Sequence, residues 1–494
     1  MQDSILYDKR IQGISFGILF LSIALFAYLG SFVYLLPAGI LLFAIVVIFD
    51  WKLAYWILLF SIPFSVEFAL REDGTLSTTV PDEPMMWIFL VLFGLMWARN
   101  PNILPKAWWK NPLVLIVVLQ YIWTTVAVLY SKEQVISLKF LAAKSWFLVS
   151  FFVLPALIFR EKRDFKKAFV IFLIPLLTTM IIINIRHAQR QFLFYKVAHA
   201  IGKLYYNHVD YSTVISMFFP ALCMVFAFVK GKRGLRFFLF ILILFFLFAI
   251  YFTFARAAMI AVIFAAFMGI ALRYRVIKWV MPAFYAVMIV FIAYISTDRH
   301  YIKYRPKYDH TFMHKDFVDH IVATFKGQDM SSMERVYRWI AGARMSMDEP
   351  IKGYGPNTFY YYYKPYAIAE FKTYVSANTE HSTAHNYFLF MLVEQGWPAL
   401  ILYAILVAAF FVHSQKTYNR FRGKDKFYTY CTIAVTMMFS AGFINNFFSD
   451  LIETHKVGGM FYLCLAMMVV LDMKSRQLQA EGVVDNDVMI PTKQ

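Results

Sequence analysis

Fourteen apolar stretches of roughly membrane-spanning length constrain this sequence more than any motif in it. They lie near residues 12–29, 32–49, 53–68, 84–98, 112–130, 141–158, 168–185, 212–229, 237–254, 257–272, 276–296, 386–411, 427–447 and 456–472. At about 1.5 Å of rise per residue, such a stretch crosses about 30 Å of hydrocarbon, the shorter ones narrowly. The prediction is an all-α integral membrane protein of about 14 transmembrane helices. Composition points the same way, with 61% hydrophobic and 16% charged residues. Soluble chains are roughly a quarter charged, and a single soluble core stops growing near about 250–300 residues.

The net charge of +18 raises the question of a nucleic-acid partner, which the location of the charges answers. Every second connection is basic. Examples are Arg160, Lys162, Arg163, Lys166 and Lys167; Lys230, Lys232, Arg233 and Arg236; Arg273, Arg275 and Lys278; and Lys416, Arg420, Arg422, Lys424 and Lys426. This is the positive-inside pattern, and it predicts both termini in the cytoplasm. The basicity is a topology signal and implies no nucleic acid. Lys9 and Arg10 precede the first apolar run, no small-residue cleavage site is evident, and a second run follows at once, as in an uncleaved first helix. Cys223, Cys431 and Cys464 fall within apolar runs. They offer neither a disulfide framework nor zinc spacing, so they read as packing residues.

These boundaries divide the chain into a membrane region at 1–296 with about 11 helices, a periplasmic loop domain at 297–385 between the eleventh and twelfth spans, a second membrane region at 386–472 with about three helices, and a cytoplasmic tail at 473–494. Ten of the 11 histidines fall on the non-cytoplasmic side, His413 being the exception. Long polar loops collect polar residues of any kind, but the cytoplasmic loops are polar too and hold almost no histidine. Histidine suits acid–base work near neutral pH, so chemistry is expected on the outer face.

Three features there stand out. The almost unbroken run 237–272 is twice a span long and is interrupted only at Thr253–Ala258, so it predicts a helical hairpin with Arg256 at its outer turn. A guanidinium at that depth either faces a cavity or partner, or snorkels to headgroups. In Ser331-Ser332-Met333-Glu334-Arg335-Val336-Tyr337-Arg338-Trp339, Ser331 and Glu334 fit a capping box. A helix over about 332–347 follows, with Arg335 and Arg338 in its first turns and Trp339 on the Arg335 face. This is either a site for phosphate oxygens or a solvated face. In Glu380-His381-Ser382-Thr383-Ala384-His385-Asn386, the histidines lie four apart. They are metal ligands, a general base at a membrane-surface cleft, or wet neighbours of a helix cap at Thr383 or Asn386.

Further candidates for meeting an anionic ligand are Arg186, Arg190, Lys196 and Lys203 before the eighth span, with His208 and Asp210 bordering it. The tyrosines Tyr354, Tyr360 to Tyr363 and Tyr366 are either sugar-binding faces or an interfacial belt. Gly353 and Gly355 shape a turn after Pro350, not a phosphate-binding P-loop.

The order Arg335, Trp339, Asp348-Glu349-Pro350, Gly353-Tyr354-Gly355, His385-Asn386 and Gly396 resembles the O-antigen ligase and polymerase superfamily of bacterial membrane glycan transferases. The ligase signature runs His-Asn, then nine residues, then Gly, and Gly396 stands there; after two intervening residues it calls for Gly, Thr or Tyr, and this chain has Ala399. Phe254-Ala255-Arg256-Ala257-Ala258 is similar to the family's Ser-Arg-Gly-Ala element, with Ala255 in place of Ser. The motifs cover about 237–470.

The resemblance implies a GT-C-like membrane fold in the bacterial inner membrane and transfer of a glycan from undecaprenyl pyrophosphate on the periplasmic face. Ligases pass the glycan to lipid A–core, and polymerases pass it to another lipid-linked repeat. The resemblance further implies no cofactor, no nucleotide sugar and no metal. It gives His385, Arg335 and Arg256 as the catalytic set; Arg338, Arg186, Arg190, His381 and His208 are, from their place in the sequence alone, candidates for holding pyrophosphate or acceptor. Pyrophosphate is an activated leaving group, so positioning and charge neutralisation suffice, and the forked, permanently charged arginine suits them. Neutral His385 would take the acceptor proton, with inversion at the anomeric carbon. A repeat-unit polymerase and a protein O-oligosaccharyltransferase are the alternatives within the class. A lipid-linked-sugar flippase is the alternative outside it, and it would be expected to have short loops and more charge along its spans.

Overall fold

The computed structural model describes residues 17, 18, 21, 22, 32–69, 77–297, 302, 329–373, 376 and 383–480. Thirteen helices of fifteen or more residues organise them. They are α1 (Leu36–Ser61), α2 (Asp82–Arg99), α3 (Pro112–Leu129), α4 (Gln134–Ile158), α5 (Lys162–Ala188), α6 (His208–Phe228), α7 (Arg233–Phe252), α8 (Arg256–Arg273), α9 (Ile277–Ser296), α10 (Met330–Asp348), α11 (Tyr387–Phe421), α12 (Lys426–Phe447) and α13 (His455–Ala480). A short antiparallel pair, β1 (Val66–Ala69) and β2 (Ser77–Val80), joins α1 to α2 with Val66 opposite Val80.

Among the described residues, eleven helices are long and apolar enough to cross a membrane, which makes this a multi-pass membrane protein. Particular residues account for the difference from fourteen. Most of the run at 12–29 lies outside the described residues. The runs at 32–49 and 53–68 form one element, broken at Asp50, which leaves helical geometry (φ −150°) and accepts the Lys52 and Leu53 N–H groups at 3.0 and 3.1 Å. The run at 84–98 is α2, which carries Asp82, Glu83 and Arg99 at its ends.

The centre of the bundle is α12, packed between α6 and α8 and backed by α11 and α13. Small residues permit this approach. The inner stripe of α8 is Ala258, Ala261, Ala265, Met268 and Leu272, at helical spacing, and Ile260, Ile263, Phe267 and Ile270 point outward. Gly269 of α8 meets the Met437 side chain and Gly442 of α12 meets that of Met217. Helices α7 and α9 are peripheral, with long exposed apolar faces that lipid would cover.

The segment from 329 to the start of α11 has its own core of Tyr337, Ala341, Met345, Tyr354, Phe359, Tyr363, Phe371 and Ala384, closed by Val393 of α11. Tyr354 and Tyr363 are therefore core residues rather than sugar platforms or interfacial belt, and Tyr363 stacks on Phe359 at 5.0 Å. The N-cap of α10 is Asp329, not Ser331: its carboxylate accepts the Ser332 N–H at 3.0 Å. Glu334, expected to close a capping box, instead accepts the Ser376 hydroxyl at 2.7 Å and that of Thr373. Burying α10 takes the glutamate away from its own N-terminus.

Candidate active site

The turn between α7 and α8 places the first arginine. The Thr253 hydroxyl donates to Ile250 O at 2.7 Å and accepts the Ala255 N–H at 3.3 Å. Phe254 takes the left-handed φ of +55°, and the helix restarts at Arg256. The hairpin read from the sequence is present. Arg256 does not snorkel: Nη2 donates to Asp329 Oδ2 at 2.8 Å, and Nη1 is buried without a hydrogen-bond partner.

Helix α10 supplies the second group. Its buried stripe includes Glu334 and Arg338, whose guanidinium lies 3.4 Å from the Glu334 carboxylate, so this is not a solvated face. Arg335 is one turn before Trp339, and Trp339 Nε1 donates to Ala384 O at 2.8 Å. That bond draws the Arg335 face of α10 against the residue preceding His385. The Nε groups of Arg335 and Arg338 are both buried without a partner.

His385 stands just before α11. Asn386 is the N-cap, accepting the Leu389 N–H at 3.0 Å while its amide donates to Phe447 O at 2.9 Å. The asparagine beside the histidine thus ties two helix ends together. His385 has a φ of +51°, a left-handed conformation rare outside glycine, and is therefore not on a helix face. His381 lies outside the described residues. Asp450, in the turn after α12, accepts the Thr383 hydroxyl and sets Oδ1 3.8 Å from His385 Nδ1.

The Gly396 position has a mechanical explanation. Gly396 interrupts α11 at φ +78°, and Pro398 has no N–H to return to Glu394 O. The break orphans carbonyls, and other segments satisfy them. Tyr354 N–H donates to Val393 O (3.0 Å), Gly355 N–H to Glu394 O (2.9 Å), and Trp123 Nε1 to Gln395 O (2.8 Å), while Trp397 N–H goes to Pro350 O (2.9 Å). The Glu394 carboxylate accepts the Asn357 and Phe359 N–H groups at 2.5 and 3.1 Å. A Cβ on Gly396 would sit 2.0 Å from Ile351 O. The turn expected at Gly353 and Gly355 is thereby a strap locked into the broken helix.

The electrostatics follow from this packing. Arg335 is pushed down to about 10, by burial first and then by Arg256, with Asp329 opposing. His385 is held down to about 3 by burial and by Arg335 and Arg338. Burial raises Asp450 to about 6. The arrangement is a neutral imidazole near Arg335 and Arg338, with Arg256 next to Arg335; all three guanidinium groups retain unpartnered donors, which suits an anion with several oxygens.

The secondary candidates flank this cluster. His187, between Arg186 and Arg190, meets the Phe254 ring edge-on at 6.1 Å, two residues before Arg256. Arg186 is exposed and Arg190 partly so. His208 opens α6, whose Asp210 accepts the Thr454 hydroxyl at 3.2 Å, four residues after Asp450. Neither Arg186 nor Arg190 is hydrogen-bonded into the cluster among the described residues. Sequence reasoning missed Asp329 and Asp450. The cap position of Asp329, ahead of Ser331-Ser332, and the polar run Asn445-Asn446 to Ser449-Asp450 at a span's end were the available signals.

No curated protein matches the chain. Residues 238–404, which hold Arg256, α10, His385 and Gly396, match the family model described as O-antigen ligase. Over that stretch the chain is similar to the O-antigen ligase and polymerase superfamily, a match that supports a glycosyltransferase-type membrane enzyme.

Proposed function

We propose that the protein is an O-antigen ligase-like transferase that moves a glycan from undecaprenyl pyrophosphate to lipid A–core on the periplasmic face of the bacterial inner membrane. The observation that carries this reading is the set of buried, unpartnered guanidinium nitrogens of Arg256, Arg335 and Arg338 beside neutral His385. Pyrophosphate oxygens fill those donors and bring the anomeric carbon next to the imidazole. A proton on Nδ1, turned to Asp450, leaves Nε2 to accept. His385 takes the acceptor hydroxyl proton as oxygen bonds to the anomeric carbon. The bond from that carbon to the phosphate oxygen breaks, and its electron pair leaves on the pyrophosphate, with inversion. Charge growing on the leaving group meets donors fixed beforehand, and removing one such donor typically costs about 10²–10³ in rate.

The depressed basicity of His385 has a consequence in this reading. Bound pyrophosphate offsets the guanidinium charges that hold the imidazole down, so the base strengthens when the donor is in place. The His385-Asn386 pair with Gly396, together with the matched model's description, favours ligase over polymerase.

The test is transfer by purified protein in detergent with EDTA present. Undecaprenyl-pyrophosphate glycan is the donor, and lipid A–core, lipid-linked repeats and a Ser/Thr peptide are parallel acceptors. Product on lipid A–core alone is expected. Product only on another acceptor would correct the branch, and no product on any of them would count against the transferase reading.

A further inference from the structure

Behind the candidate site, inside the bundle, lies an ion pair that transfer chemistry does not use. Lys144, midway along α4, donates from Nζ to Glu453 Oε1 and Oε2 at 2.7 and 2.9 Å. The lysine is 9% exposed, and its ammonium lies over the Tyr462 ring at 5.1 Å. Charges within a span are costly, and a buried pair is a poor source of stability, since apolar replacements often do as well. Its partners supply another role. The Tyr387 hydroxyl donates to the same Glu453 Oε1 at 2.5 Å.

Tyr387 is two residues from His385, and Glu453 ends the short turn Leu451–Glu453 that follows Asp450. That turn is held from the other side by Asn446, whose Oδ1 accepts the Ile452 N–H at 2.9 Å. One carboxylate therefore joins the chain segment that carries the imidazole to the segment that carries its acidic neighbour. Lys144 holds that carboxylate in place from a third helix. Ring contacts of Tyr387 with Tyr403 at 4.7 Å and Phe390 at 5.5 Å fix the phenol in direction.

We propose that Lys144, Glu453 and Tyr387 form a positioning clamp that sets how His385 and Asp450 face each other. This rests on the transferase reading for its effect on rate, but the geometry can be probed without turnover. The three act through the segments that carry His385 and Asp450, so they are positioning residues and not catalytic ones.

The test uses full-length protein in lipid nanodiscs. Tyr387→Phe removes only the hydroxyl and keeps the ring. The double variant Lys144→Met/Glu453→Leu removes both charges together and avoids an uncompensated buried ion. Lys144→Arg keeps the charge. The clamp predicts kcat lower by roughly ten- to a hundredfold in the first two at unchanged donor KM, the scale of a small misplacement, with Lys144→Arg close to wild type. Placed on a His385→Ala background, Tyr387→Phe should lower residual transfer no further. A full additional loss on that background, or a change confined to KM, overturns the clamp. Independently of turnover, the rate at which diethyl pyrocarbonate modifies His385, read by mass spectrometry, should change severalfold in Tyr387→Phe and in the double variant but not in Lys144→Arg. An unchanged rate in the first two also overturns the clamp. If wild type transfers to no acceptor, the transferase reading falls and the modification rates alone decide.

Discussion

Arg256 Nη2 and Asp329 Oδ2, 73 positions apart in sequence, are 2.8 Å apart in space, and the same carboxylate caps α10. One aspartate thus docks the helix bearing Arg335 onto the turn bearing Arg256. Asp329→Asn keeps a capping oxygen and loses the charge pairing. We expect it to cost about 1–3 kcal/mol, the range for leaving a buried polar group short of its partner, since the asparagine amide still offers an oxygen. Thermal unfolding in detergent measures this, and an unchanged midpoint would mean that the pair does not tie the two elements together.

Arginine geometry at position 335 is predicted to matter beyond its charge. Lysine is a point charge without the guanidinium fork, so Arg335→Lys should lose roughly 10²-fold in kcat/KM for the lipid-linked donor. Steady-state kinetics with a fixed acceptor checks it. Near-normal kcat/KM in this variant would show that only a diffuse positive field is needed.

The pH profile carries a signed expectation. With His385 held to about 3 by burial, Arg335 and Arg338, the free enzyme keeps its imidazole neutral from mildly acidic to alkaline pH. No histidine limb should therefore appear in kcat/KM between about pH 5 and 8. Arg335→Gln removes one of the two depressing charges, so the His385 pKa rises and the acid limb moves to higher pH. A limb that stays in place would mean that Arg335 does not act on His385.

Gly396→Ala is expected to unseat the strap. It asks a side chain to adopt φ +78° and sets a Cβ 2.0 Å from the Ile351 carbonyl. The backbone conformation, φ +78° with ψ −178°, is one that essentially only glycine adopts and costs about 1–3 kcal/mol by itself. Limited proteolysis should cut within 349–373 faster than in wild type, with transfer falling in parallel. Equal proteolysis of the two proteins would show that the strap accommodates the methyl.

Legibility from sequence divides along range of interaction. The hairpin at Thr253–Ala258 was visible because a run of twice span length must fold back, and a single arginine marks where. The α10 helix and its Arg335–Trp339 face were visible because helical periodicity is local. Its cap is not legible, because Ser331 and Asp329 are both good capping residues and the choice depends on Arg256, far away in the chain. The partners of His385 could not be read at all. Asp450, Glu453 and Lys144 reach it only through the packing of α4, α11 and the turn before α13. The spans at 32–49 and 53–68 were separated by Asp50 and its neighbours, which break one helix rather than mark a loop between two. The tyrosine run reads as sugar-binding faces or an interfacial belt, whereas Tyr354 and Tyr363 close a small core that has no periodic signature.

The central claim is that buried guanidiniums bind the pyrophosphate while neutral His385 activates the acceptor. The most direct measurement is donor binding and single-turnover transfer side by side, in nanodiscs, for wild type, His385→Ala and Arg335→Gln. The account predicts that His385→Ala binds undecaprenyl-pyrophosphate glycan as wild type does yet fails to transfer it, while Arg335→Gln loses binding. Full transfer by His385→Ala, or wild-type donor affinity in Arg335→Gln, would contradict it.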